Sequence, residues 1–202
     1  MSRIVLATRN QGKIAELRRI LDGIDVVGLD AFPDAPEVPE TELTFAGNAL
    51  LKARAIAAHT GLPAVSDDSG LCVDALNGMP GVLSARWSGR FGEKTGDKDR
   101  ANLDLVLDQL ADVGDGDRGA HFFCAAALVV PGRAEHVVDG RMHGTIIREP
   151  RGTGGFGYDP IFLPDGETRT SAELSPAEKD AVSHRGRAFR ALAEILPRAL
   201  SA

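Results

Sequence analysis

Cysteine is scarce. The chain has two in 202 residues, Cys72 and Cys124, and neither has a second Cys or a His at metal-ligand spacing. A disulfide scaffold is thereby excluded, and both residues read as reduced thiols in apolar surroundings. Long apolar runs are missing as well. The longest late stretch, Phe122 to Val130, falls far below the ~18–20 residues that span a bilayer. The early run Ile4 to Ala7, set between Arg3 and Arg9, is too short for a secretory signal, so a cytoplasmic location is expected. Positive charge is in deficit: Lys plus Arg is 23 against 29 Asp plus Glu, a formal charge of −6. That balance argues against a nucleic-acid partner and against a membrane surface, so any anionic ligand has to be met by a local group of cations. Repeats, low-complexity tracts and charged tails are also absent.

What is present matches an ordinary globular protein, with 43% hydrophobic and 26% charged residues. At 202 residues the chain forms one domain, residues 1–202, or two tightly joined lobes. Arg3 to Ala7 reads as a buried strand, and Lys13 to Leu21 as a helix with Ile14, Leu17, Ile20 and Leu21 on one face. Val26 to Leu29 is a second strand. Ala31 to Glu42, broken by Pro33, Pro36 and Pro39, is an irregular loop. Thr44 caps a helix from Phe45 to His59 that Gly61 and Pro63 end. Asp67 to Gly70 reads as a polar turn between two apolar segments. Asn77 to Gly92 is a glycine-rich loop and Asp97 to Leu110 an amphipathic helix. His121 to Val130 and His136 to Arg148 form a hairpin. Ser175-Pro176-Ala177-Glu178 opens a helix through a capping box, and Gly186 breaks it near Ser183. Early alternation followed by a hairpin predicts an α/β fold with a mixed sheet and flanking helices.

Four constellations could carry chemistry. Thr8-Arg9-Asn10-Gln11-Gly12-Lys13 follows a strand and opens a helix, where backbone N–H groups and a lysine suit phosphate oxygens. It is not a Walker A loop, because Ile14 stands where Ser or Thr would hold magnesium. Asp67 and Asp68, with Glu40 in the acidic loop, offer oxygen ligands to Mg²⁺. Gly152 to Pro160 lets backbone approach a flat ligand on which Phe156 or Tyr158 stacks. Lys179 with His184 and Arg185 could face a phosphate or a base carbonyl. Each also has a plain reading: a capped turn, a capping Asp67 beside a solvated Asp68, a bulge that packs both rings into the core, and a solvated basic face. The lone Trp87 reads as core.

Together these segments resemble the inosine/xanthosine triphosphate pyrophosphatase family over nearly the whole chain. The resemblance is carried by Leu6 to Lys13, Glu40-Thr41 with Thr44-Phe45, Asn48 to Ala53, Ala64 to Gly70, Gly81 to Gly89, Gly152 to Pro160, and Glu178-Lys179 with Ser183 to Gly186. It implies an ITPase-like fold, an elongated mixed sheet with two lobes around a central nucleotide cleft, commonly assembled as a homodimer. It also implies Mg²⁺-dependent hydrolysis of the α–β phosphate bond of ITP, dITP and XTP, with Mn²⁺ as a substitute. Carried over by position, Thr8, Arg9, Asn10, Gln11, Gly12 and Lys13 cradle phosphates, with Lys52 adding charge. Glu40 and Asp68 bind the metal, Asp68 accepts the proton of the attacking water, and Ser69 touches substrate. Phe156, Gly157, Tyr158, Asp159, Lys179, His184 and Arg185 contact the nucleotide. Gly47 departs from the family, which usually has an acidic residue there, and Arg9 replaces a commonly small one. Two rival readings are a Maf-like pyrophosphatase with another base preference and a catalytically silent nucleotide sensor.

Overall fold

Strands buried on both faces tolerate continuous apolar runs, and β1 (Ile4–Leu6) is one, buried throughout. The computed structural model describes residues 3–21 and 24–201. In it β1 pairs in parallel with β2 (Val26–Gly28) and with β3 (Ala64–Val73). β3 also pairs antiparallel with the two-residue β4 (Met79–Pro80), Cys72 opposite Pro80. β5 (Gly119–Val129), β6 (Glu135–Ile146) and β7 (Phe162–Pro164) complete a seven-stranded sheet in the order β2-β1-β3-β5-β6-β7, the last pair antiparallel. The helices among the described residues are α1 (Gln11–Ile20), α2 (Phe45–Thr60), α3 (Gly89–Thr95), α4 (Lys98–Gln109), α5 (Pro176–Val182) and α6 (His184–Ser201). The fold is therefore mixed α/β.

The chain forms two compact units. The first comprises Met1–Asp68, Cys124–Gly140 and His184–Ala202; the second comprises Ser69–Phe123 and Arg141–Ser183. Each has its own apolar core. Leu6, Leu17, Val65, Leu128, Phe189 and Leu192 anchor the first, and Leu71, Val106, Leu110, Phe122, Ile146 and Phe162 the second. Each such side chain, fully buried, contributes about 1.5–3 kcal/mol.

Caps set where helices begin, and so where their side chains lie. Asn10 accepts from the Lys13 N–H at 3.0 Å to start α1, and Thr44 accepts from the Gly47 N–H at 3.0 Å to start α2. Ser175 and Glu178 form the expected capping box of α5. Three expectations are corrected. Asp67 to Gly70 is not a turn but the middle of the continuous strand β3, in which only Ser69 is less than fully buried. Four residues with weak strand preference stay extended there because β3 lies between β1 and β5 in the ladder, and its polar side chains find partners. The loop expected at 77–92 contains β4, a 3₁₀ helix over Gly81–Arg86 and the start of α3. The break between α5 and α6 falls at Ser183, which is extended, while Gly186 sits in the first turn of α6.

Candidate active site

In the first unit, β3 sends successive side chains to opposite faces. Asp67 meets two cations. Lys13 Nζ, at the start of α1, donates to its Oδ2 at 2.9 Å, and Arg185 Nε, in the first turn of α6, donates to the same oxygen at 3.3 Å. The Cys124 thiol approaches that oxygen at 4.0 Å. The Asp67 side chain is 1% exposed. Burial opposes its ionisation, but the charges of Lys13, Arg185 and Lys52 outweigh that cost and hold the carboxyl far below the usual carboxylate range.

Asp68 has a different environment. Asn48 Nδ2 donates to its Oδ2 at 3.0 Å, and Lys52 Nζ lies 3.8 Å from its Oδ1. Asn48 and Lys52 are four residues apart on α2, so one helix face presents both. The same Lys52 ammonium donates to Glu40 Oε1 at 2.8 Å. Burial pushes the Asp68 carboxyl up, Lys52 pulls it down, Glu40 pushes it up again, and the balance lies above the ordinary value. Lys52 itself loses by burial and gains from Asp67, Asp68 and Glu40, ending raised. At 7% side-chain exposure Asp68 is not the solvated carboxylate of the plain reading.

Around these groups, Thr8 Oγ1 accepts from the Asn10 N–H, and the Arg9 guanidinium donates to the Ala35 carbonyl at 2.8 Å. Gln11 and Gly12 lie in α1, and their side chains fall outside the described residues. His184 is buried beside Arg185. At Gly47, a Cβ would come within 2.7 Å of Glu42 Cβ, so the side chain of Glu42 takes the room a larger residue would need.

The second unit contains Ser69, half-buried in β3, and the glycine-rich loop. Its segment Phe156 to Asp159 is tied at each residue. The Phe156 N–H donates to Asp159 Oδ2 at 2.8 Å, the Gly157 N–H to Asp99 Oδ2 at 3.0 Å, and the Tyr158 hydroxyl to the Ser84 carbonyl at 2.8 Å. Lys179 Nζ donates to Asp159 Oδ2 at 2.6 Å and stands 4.8 Å from the centre of the Phe156 ring. Gly155 and Gly157 adopt φ of 72° and 62°, which a side chain would resist. The two rings divide: Tyr158 packs in the core, whereas Phe156 is 37% exposed.

Asn48 and Asp99 carried no assignment in the sequence, and Asp67, expected as an oxygen ligand beside Asp68 or as a cap, pairs instead with Lys13 and Arg185. The only prior signal was the i, i+4 spacing of Asn48 and Lys52. Among the described residues no group of three or more His, Cys, Asp or Glu forms a ready metal cage. Glu40 and Asp68 still suit a hard divalent ion, since one ammonium reaches both carboxylates.

A model of the Ham1 family matches residues 4–195. A dITP/XTP pyrophosphatase of Streptomyces coelicolor is 61% identical over 200 residues, covering 97% of this chain and 98% of the relative. Among solved structures, a HAM1 protein from Coxiella burnetii superposes with a TM-score of 0.87 at 43% identity, covering 98% of this chain and 100% of that one. A nucleoside-triphosphatase / dITP/XTP pyrophosphatase from Mycobacterium abscessus does so with a TM-score of 0.75 at 57% identity, covering 94% and 98%. Matched across nearly its whole length in sequence and in fold, this chain belongs to the Ham1 family.

Proposed function

We propose that the chain hydrolyses deaminated purine nucleoside triphosphates, ITP, dITP and XTP, to the monophosphate and pyrophosphate, keeping hypoxanthine and xanthine nucleotides out of DNA and RNA. The observation that carries this reading is the enclosed carboxylate Asp68, raised in basicity, beside Glu40 and Lys52, in a unit that also gathers Lys13 and Arg185. Relatives called dITP/XTP pyrophosphatases at about 60% identity over almost the full chain support it.

A triphosphate brings about four negative charges, and the reaction builds more between the phosphates. On a chain of net charge −6, Lys13, Lys52 and Arg185 of the first unit and Lys179 of the second would supply the compensation. The loop from Thr8 to Lys13 would face the phosphates, its Asn10, Gln11 and Gly12 at the start of α1. Asp68 would take the proton of the attacking water, a task that its upward shift favours. Ser69 would touch the substrate next to it. Glu40 and Asp68 would hold Mg²⁺, with Mn²⁺ as a substitute; such an ion supplies positive charge at the phosphates and acidifies water. Phe156 would stack on the base, held by Gly157, Tyr158 and Asp159, with Lys179, His184 and Arg185 as donors to the C6 carbonyl that adenine lacks.

Two further parts of the reading are a homodimer and a cytoplasmic location. Two buried cysteines outside any disulfide suit a reducing compartment, and no helix among the described residues is long and apolar enough to cross a membrane. Sedimentation at micromolar concentration tests the dimer. The decisive assay is pyrophosphate release from ITP, dITP, XTP, ATP, dTTP and UTP with magnesium. We expect kcat/KM for the first three to exceed the others by about a hundredfold or more. A pyrimidine preference would overturn the substrate class, and ITP binding without turnover would overturn the enzyme.

A further inference from the structure

We propose that Lys52 is a stand-in cation: its ammonium occupies the place between Glu40 and Asp68 that a divalent ion takes, and it must leave when that ion binds. The inference rests on the reading of Glu40 and Asp68 as the ion's ligands. Lys52 Nζ touches Glu40 Oε1 at 2.8 Å and approaches Asp68 Oδ1 at 3.8 Å. Asn48 engages the other oxygen of Asp68. Two carboxylates brought this close in a largely enclosed place repel each other unless a positive charge lies with them. A lysine suits a temporary holder, because it carries a compact charge on a flexible four-carbon stem.

The other ammonium in this unit has a different post. Lys13 pairs with Asp67 at 2.9 Å. Removing Lys13 therefore leaves the Glu40–Lys52–Asp68 contact in place, whereas removing Lys52 vacates it.

Exchange of one cation for another has a functional consequence. An ion binding alone has to break the Lys52 contacts and gains only the two carboxylates. When a triphosphate arrives as well, the displaced ammonium finds new anionic partners. Metal and nucleotide should then bind more tightly together than either does alone, with the coupling passing through one side chain.

The test is calorimetric titration of the full nucleotide-free chain with Mn²⁺ at fixed pH and ionic strength. Lys52→Met should bind Mn²⁺ about tenfold more tightly than the wild type, even though it loses a substrate-facing charge. Lys52→Gln should behave alike and replaces it if the methionine variant does not fold. Lys52→Arg and Lys13→Met should stay within about threefold of the wild type. Unchanged or weaker Mn²⁺ binding by the neutral Lys52 variants overturns the proposal. So does an equal gain in Lys13→Met, which would make the effect a general field rather than occupancy. Glu40→Gln and Asp68→Asn separate the two layers of inference. If either binds Mn²⁺ like the wild type, the ligand assignment fails. If both lose binding while Lys52→Met is unchanged, the ligand assignment stands and the stand-in role falls.

Discussion

Asp67 and Asp68 are chain neighbours on β3, both almost wholly enclosed, yet their surroundings differ in charge balance. Asp67 accepts directly from Lys13 and Arg185. Asp68 shares the Lys52 ammonium with Glu40 and takes an amide from Asn48. Neighbouring cations hold the first carboxyl below its ordinary range, whereas burial, with Glu40 nearby, outweighs Lys52 and leaves the second more basic than usual. The first therefore suits holding things in position and the second suits accepting a proton. Alternation along an extended strand, rather than any loop, is what lets adjacent residues divide the work.

The largest effect should come from the Asp68 side. Asp68→Asn keeps the Asn48 contact geometry but cannot take a proton, and we expect turnover on ITP to fall about 10²–10⁴-fold. A near wild-type rate would remove Asp68 from its role. The same variant should melt no lower than the wild type at neutral pH without metal, since it removes a charge that burial disfavours. Asp67→Asn should do the reverse. Leaving Lys13 and Arg185 without their shared anion costs about 3–5 kcal/mol, or a drop of about 10 °C in Tm for a chain of this size. Equal melting of the two variants would erase the contrast.

Acid titration sharpens it further. Asp67 has a depressed folded pKa, so its contribution is present above the unfolded value of 3.8 and is lost as pH falls below it. Asp68 has a raised folded pKa, so its contribution is present below 3.8 and is lost as pH rises through the folded value. Stability measured from pH 3 to pH 7 should therefore rise less steeply with pH in Asp67→Asn than in the wild type, and more steeply in Asp68→Asn.

In the second unit, Phe156→Ala should raise KM for ITP about tenfold with little change in kcat, the loss of one stacked base. An unchanged KM with a lower Tm would make Phe156 a packing residue instead. The smallest effect concerns Cys72, whose thiol burial pushes up to about 11. It should stay unmodified by thiol reagents in the folded protein at pH 8, and fast labelling would contradict that shift.

Much of this was legible in residue order where local chemistry decides. Thr44 and Gly61 bracket α2, and Ser175 to Glu178 open α5, because caps are short-range devices. Asp67 to Gly70 was misleading for the opposite reason. Its residues favour a turn locally, and only neighbours far along the chain, β1 and β5 in the ladder and Lys13 and Arg185 on the side chain, make a strand of them. Asp67 stood out as a carboxylate, but its pairing did not, because its partners come from residues 13 and 185, a separation no local pattern reveals. β4 and β7, of two and three residues, are too short to leave a period. The two rings of the glycine-rich loop could not be told apart beforehand, since which one faces solvent depends on Ser84 catching the Tyr158 hydroxyl.

Gly140, on β6, carries no charge and touches no ligand, yet a Cβ there would strike the His184 carbonyl and the Ala188 nitrogen of α6. Both obstacles are main chain, so they cannot rotate aside. A survey of natural variants that ranked substitutions by chemical similarity would pass Gly140→Ala as harmless. Clearance ranks it otherwise: one added methyl would lever the helix bearing Arg185 away from the strand beneath it, and the damage would register as a failure of anion handling far from the altered codon.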